Sequence, residues 1–149
     1  CMLGVSSQIG AIIGGADEAE SILMRDYGQL IGKAFQIQDD YLEVFSNEKK
    51  MGKTLKSDIT LNKKTFLMIN GYMKNHDIMN KINELIKSDY NEGHKKLVDF
   101  YISSGIKDLT INKVSSLINE ANEKLDLISN LKDKESLNFF SNIILNRQK

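Results

Sequence analysis

Two aspartates, Asp39 and Asp40, stand side by side in the otherwise largely apolar segment FQIQDDYLEVF, residues 35–45. On a helix, Gln36, one of the two aspartates and Glu43 follow one another at spacings of three and four, so their side chains can project from one face. Two carboxylates about 6 Å apart repel each other by roughly 3 kcal/mol at an effective dielectric constant near 20. A partly buried face tolerates such repulsion poorly unless a cation lies between the charges.

Magnesium is the cation that suits this pattern. It prefers oxygen ligands, keeps several waters, and is commonly held by one or two carboxylates together with the phosphates of a substrate. The acidic segment therefore indicates phosphate chemistry at a magnesium site. The spacing alone also allows a second interpretation, in which the acidic side chains cap a helix or face solvent.

The order of the segments that follow is more specific. FQIQDDYLEVF is followed by GKTLKSDI at residues 52–59 and by NKKT at residues 62–65. In this order the segments resemble the second aspartate-rich motif, the Gly-Lys loop and the following lysine of the trans-type polyprenyl (isoprenyl) diphosphate synthases. The resemblance extends over the whole chain. It implies an all-α helical bundle of the isoprenoid synthase type, with residues 1–149 as the carboxyl-terminal part of a single polyprenyl synthase domain.

The resemblance also implies roles for individual residues. Asp39 and Asp40 would be catalytic residues that bind magnesium, and Glu43 would be a third metal ligand. Glu43 stands where the family usually has aspartate, and its extra methylene group implies looser or water-mediated ligation. Lys53 matches a family lysine that holds the allylic diphosphate, which makes it both catalytic and substrate-binding. Substrate binding is further implied for Phe35, Gln36, Lys63, Arg147 and Lys149.

The implied activity is that of a prenyltransferase. With Mg²⁺, such an enzyme joins isopentenyl diphosphate to an allylic prenyl diphosphate and releases pyrophosphate, and its full-length subunits form a homodimer. The family's first D-D-x-x-D motif does not occur in these 149 residues. We therefore expect a carboxyl-terminal half that is inactive by itself.

A different class of function stays open, namely a non-catalytic helical partner or regulatory subunit of a prenyl synthase. The sequence upstream of this chain separates the two hypotheses. A D-D-x-x-D motif there favours the enzyme, whereas an initiator methionine near Met2 favours the partner.

The composition excludes several other classes of function. Lysine plus arginine and aspartate plus glutamate number 20 each, so no net field would attract nucleic acid or an anionic membrane. No apolar segment is long enough to span a bilayer, so we expect no transmembrane segment. The single cysteine, Cys1, precludes an internal disulfide and favours a reducing compartment, and we therefore expect a cytoplasmic protein.

Helices must position the acidic segment and its neighbours. A long helix is predicted to end near Phe45, and a polar, lysine-rich loop to follow at residues 46–58. Apolar residues at spacings of three and four predict further helices at residues 78–86, 111–128 and 137–145. No alternating strand pattern competes, so the sequence by itself also predicts an all-α chain.

Small residues and caps predict where some helices pack and end. Residues 2–16 predict a buried helix in which Gly10 and Gly14 form a ridge that another helix can approach closely. Gly105 is predicted to end a helix, and Thr110 to begin the next one as its N-cap.

Overall fold

A computed structural model of the chain describes residues 2–46, 63–129, 131 and 133–145. Over these residues the chain forms α-helices and no β-strand, which confirms the all-α prediction. No helix in the described part combines the length and the apolar character needed to cross a bilayer. The helices are α1 (Met2–Ile13), α2 (Glu18–Phe45), α3 (Phe66–Lys74), α4 (His76–Ser88), α5 (Tyr90–Ser103), α6 (Ile106–Asp126) and α7 (Lys134–Leu145).

The chain divides into two compact units. The first unit comprises residues 1–38 and 112–148, and the second comprises residues 39–111. Helices α2 and α6 each contribute residues to both units. The acidic end of α2 belongs to the second unit.

The core of the first unit is built by α2, α6 and α7. From α2 it takes Tyr27, Ile31 and Ala34, and from the predicted apolar stripe of residues 111–128 it takes Val114, Leu117, Ile118, Ala121, Leu125 and Ile128. The Tyr27 hydroxyl donates a 3.0 Å hydrogen bond to the Leu137 carbonyl and lies 3.1 Å from the Ser141 hydroxyl. These contacts attach α7 to α2.

The prediction that the first helix is buried was wrong. Within α1 only Gly4 is buried, and the apolar side chains of Met2, Leu3, Val5, Ile9, Ile12 and Ile13 are exposed. The close approach to α2 occurs at Gly4 and not at the predicted Gly10–Gly14 ridge. A Cβ atom added at Gly28 would lie 2.9 Å from Gly4 Cα, whereas one added at Gly10 would meet nothing within 4 Å. A pair of glycines therefore allows these two helices to touch.

The second unit is formed by short helices with defined caps. The Thr65 hydroxyl accepts a hydrogen bond from the Met68 amide and begins α3, while Asn75 and Asp89 cap α4 and α5 in the same manner. The core contains Val44, Leu67, Met68, Met79, Ile82, Ile86, Leu97, Tyr101 and Ile106. These caps fix where each helix starts around the acidic end of α2.

Gly105 separates α5 from α6, as predicted, with a φ of 78° that favours glycine. The prediction for Thr110 was wrong, because α6 begins at Ile106 and Thr110 lies buried inside it. The Thr110 hydroxyl donates to the Ile106 carbonyl at 2.8 Å. A threonine can use its hydroxyl either as an N-cap or in this way, and the fold selects the second use.

Candidate functional site

The last turns of α2 carry the three acidic residues singled out in the sequence. Asp39, Asp40 and Glu43 lie near the carboxyl end of a helix that has no basic residue in its last turn. Carboxylates are stabilised at the amino end of a helix and destabilised at this end, where the backbone dipole is negative. Helix capping therefore does not explain these residues.

Asp40 and Glu43 line a cavity of about 20 Å³ in the second unit. They share it with Lys63 and Thr65, which precede α3, and with Val44, Met68, Leu97 and Tyr101. Both acidic residues are half-buried, so the interpretation that they simply face solvent does not hold for them. A cavity of this size accommodates about one water molecule. The residues around this space, which could hold a small ion or a water, thus include two acidic residues and one lysine.

Tyr101 supplies a neutral polar group to the same cavity. The residue is buried, and burial raises the pKa of its phenol far above the ordinary value of 10.0, with a smaller contribution from Tyr72. The phenol therefore stays protonated near neutral pH and can both donate and accept a hydrogen bond. Sequence reasoning missed Tyr101, because only the fold brings α5 to the acidic end of α2.

The remaining predicted site residues either do not line the cavity or lie outside the described residues. Asp39 is half-buried on α2 and is not among the side chains that line the cavity. Phe35 and Gln36 are exposed on the part of α2 that belongs to the first unit. Lys53, Arg147 and Lys149 lie outside the described residues. The roles given to these residues stay predictions.

The oxygen donors at this site suit a magnesium ion completed by substrate and water. Among the described residues, no group of three or more histidine, cysteine, aspartate or glutamate side chains is arranged to hold a metal ion. Magnesium does not require such a group, because it is commonly bound by one or two carboxylates together with phosphate oxygens. Asp40 and Glu43 beside one small cavity provide that number of carboxylates.

Comparison with known proteins gives a consistent result. A family model described as "Polyprenyl synthetase" matches residues 1–101. The chain is 29% identical to the short chain isoprenyl diphosphate synthase of Methanothermobacter thermautotrophicus, over 99% of this chain and 46% of that protein. It is 30% identical to the geranylgeranyl diphosphate synthase of Methanosarcina mazei, over 99% of this chain and 44% of that protein.

A solved structure shares the fold. The geranylgeranyl pyrophosphate synthetase of Pyrococcus horikoshii superposes with a TM-score of 0.84 at 28% identity, over 98% of this chain and 45% of that one. The chain thus spans somewhat less than half the length of the relatives it matches.

Proposed function

The chain belongs to the polyprenyl synthetase family, and on that basis we propose that it is the carboxyl-terminal half of a magnesium-dependent prenyltransferase. The substrates proposed are isopentenyl diphosphate and an allylic prenyl diphosphate. The names of the relatives, short chain isoprenyl and geranylgeranyl diphosphate synthases, support this class of product. The observation that carries the proposal is the cavity that Asp40, Glu43 and Lys63 all line.

Asp39, Asp40 and Glu43 would hold the metal. Bound there, magnesium would neutralise part of the negative charge on the diphosphate. Lys63 would contribute a positive charge on a flexible stem, which suits an anion whose charge grows as it departs. Lys53 would help to bind the same diphosphate.

The proposed reaction breaks one bond and forms another at the allylic carbon. The carbon–oxygen bond to the diphosphate breaks, and its electron pair leaves with pyrophosphate. The allylic carbon then bonds to the terminal carbon of isopentenyl diphosphate, and the adduct loses a proton. Phe35 and Gln36 would lie near the prenyl groups, and the basic residues Arg147 and Lys149 would add to substrate binding.

One acidic motif supplies one side of a site that binds diphosphate through metal ions. We propose that the rest of the protein supplies the opposing carboxylates, so that the isolated 149-residue chain is inactive. We further propose that full-length subunits form a homodimer and that the protein acts in the cytoplasm, in keeping with the single cysteine among these 149 residues.

The test is an assay of the full-length protein with isopentenyl diphosphate and allylic diphosphates of several lengths. Mass spectrometry should detect longer prenyl diphosphates. One pyrophosphate should be released for each condensation. Removal of divalent ions with a chelator should abolish both, and added magnesium should restore them. A full-length protein that makes no product, but alters the product of an active prenyl synthase when mixed with it, would instead be a regulatory partner.

A further inference from the structure

A histidine far away in the sequence contacts the acidic end of α2. The Nε2 atom of His94 lies 3.1 Å from the backbone carbonyl oxygen of Val44, fifty positions earlier in the chain. A carbonyl oxygen can only accept, so the imidazole must donate through Nε2–H. Val44 lies in the last turn of α2, where carbonyls lack partners within the helix. His94 therefore supplies a partner that the helix itself cannot provide.

The ring of His94 is held by elements other than α2. The Tyr90 ring stacks on it at a centroid distance of 5.8 Å and an interplanar angle of 17°. Helix α5, which carries both, is fixed at its start by Asp89, whose carboxylate accepts hydrogen bonds from the Asn91 and Glu92 amides. At Gly93 it lies so close to α4 that an added Cβ would come within 2.6 Å of the Ile86 backbone nitrogen. Contacts outside α2 therefore orient the imidazole ring.

The carbonyl that His94 binds belongs to the turn that forms the site. Val44 directly follows Glu43, and both line the cavity together with Asp40. Leu97, three positions after His94 along α5, and Tyr101, four positions after Leu97, line the same cavity. The next residue of α2, Phe45, has the Lys107 ammonium group 5.4 Å from its ring centroid. The last turn of α2 is therefore held by both its backbone and its side chains.

We propose that His94 is a positioning residue for the acidic turn, a role that rests on the proposed function. Its hydrogen bond to Val44 fixes where α2 ends, and hence the direction in which Asp40 and Glu43 present their carboxylates. Without the bond, the last turn of the helix frays and the carboxylates lose their common orientation. Groups that orient metal ligands typically change metal affinity or activity 10- to 100-fold when removed.

The test uses the full-length protein and three variants. His94→Leu removes the donor, and His94→Gln keeps an amide N–H that can reach the same carbonyl. His76→Leu is the matched control, because His76 is an exposed histidine of the second unit that hydrogen-bonds Asn80 on its own helix. Binding of inorganic pyrophosphate in the presence of Mn²⁺ is measured by calorimetry, and condensation activity is measured against Mg²⁺ concentration.

We expect His94→Leu to weaken pyrophosphate–Mn²⁺ binding and to raise the Mg²⁺ requirement by about 10-fold or more. His94→Gln should restore both to within a few-fold of the unmodified protein, and His76→Leu should change neither. Unchanged binding in His94→Leu, or equal losses in His94→Leu and His94→Gln, would overturn the role of His94. Failure of the unmodified protein to bind pyrophosphate would instead remove the proposed function, and the role of His94 with it.

A spectroscopic measurement covers the case in which His94→Leu fails to fold. Nitrogen-15 NMR of the unmodified protein should show His94 as the Nε2–H tautomer, identified by the loss of its signals in His94→Gln. A neutral ring protonated at Nδ1 cannot donate to Val44 and would overturn the proposal.

Discussion

Asp40 and Lys63 line the same cavity, one from the last turns of α2 and the other from the segment that leads into α3. Residues of opposite charge therefore border one small space, which accommodates about one water molecule or small ion. Thr65, two residues after Lys63, caps α3 and fixes the start of that helix.

Lys63→Ala in the full-length protein should lower kcat/KM for the allylic diphosphate by about 10- to 100-fold, because a hydrogen bond to a charged group contributes about 1.5–3 kcal/mol. Steady-state kinetics would measure the loss. Lys64→Ala is the matched control, since Lys64 is exposed and does not line the cavity. Equal kinetic effects of the two substitutions would remove Lys63 from the site.

Gly28→Ala should lower the free energy of unfolding by about 1–3 kcal/mol, because the added methyl group would lie 2.6 Å from the Leu3 carbonyl oxygen. Gly10→Ala is the control. It fills open space on a helix and should stabilise by up to about 1 kcal/mol. Urea unfolding of both variants would measure the difference, and a stable Gly28→Ala protein would show that α1 and α2 do not touch at this glycine.

Tyr101 should make the protein less stable at alkaline pH. Because burial raises the pKa of Tyr101 in the folded state, its contribution to stability is complete below pH 10 and is lost as the pH rises further. Tyr101→Phe should therefore reduce the fall in unfolding free energy above pH 10 by up to about 1.4 kcal/mol per pH unit. Unfolding curves between pH 8 and pH 11 would measure it, and an identical slope in the variant would argue against a buried phenol.

The isolated 149-residue chain should self-associate at micromolar concentration, because α1 exposes a row of apolar side chains that includes Val5 and Ile9. Ile9→Lys should weaken the association, whereas Ile69→Lys, an exposed apolar position on α3, should not. Sedimentation velocity would separate the species. A monomer at all concentrations would contradict the prediction.

Much of the helical architecture could be predicted from local sequence. The stripe that includes Val114, Ile118 and Leu125 repeats with the helical period, and Gly105 marks a helix end by its tolerance of positive φ. Thr110 was assigned wrongly because its hydroxyl can serve either of two local hydrogen bonds, and sequence alone does not choose between them.

The site could be predicted only in part. The spacing predicted that one of the two aspartates shares a helix face with Glu43, and in the structure Asp40 and Glu43 line one cavity. Tyr101 and His94 were missed, since their approach to α2 depends on tertiary packing and leaves no local pattern. The exposure of α1 was missed for a similar reason, because an apolar helix does not reveal what covers it.

The most direct measurement is the turnover of full-length Asp40→Ala with saturating isopentenyl and allylic diphosphates and magnesium. Loss of a carboxylate that holds the metal should lower kcat at least about 100-fold, and Asp39→Ala should behave alike. Asp99→Ala, an exposed aspartate on α5, should retain the activity of the unmodified protein. Condensation by Asp40→Ala at nearly the unmodified rate would contradict the assignment of the acidic end of α2 as the metal and diphosphate site.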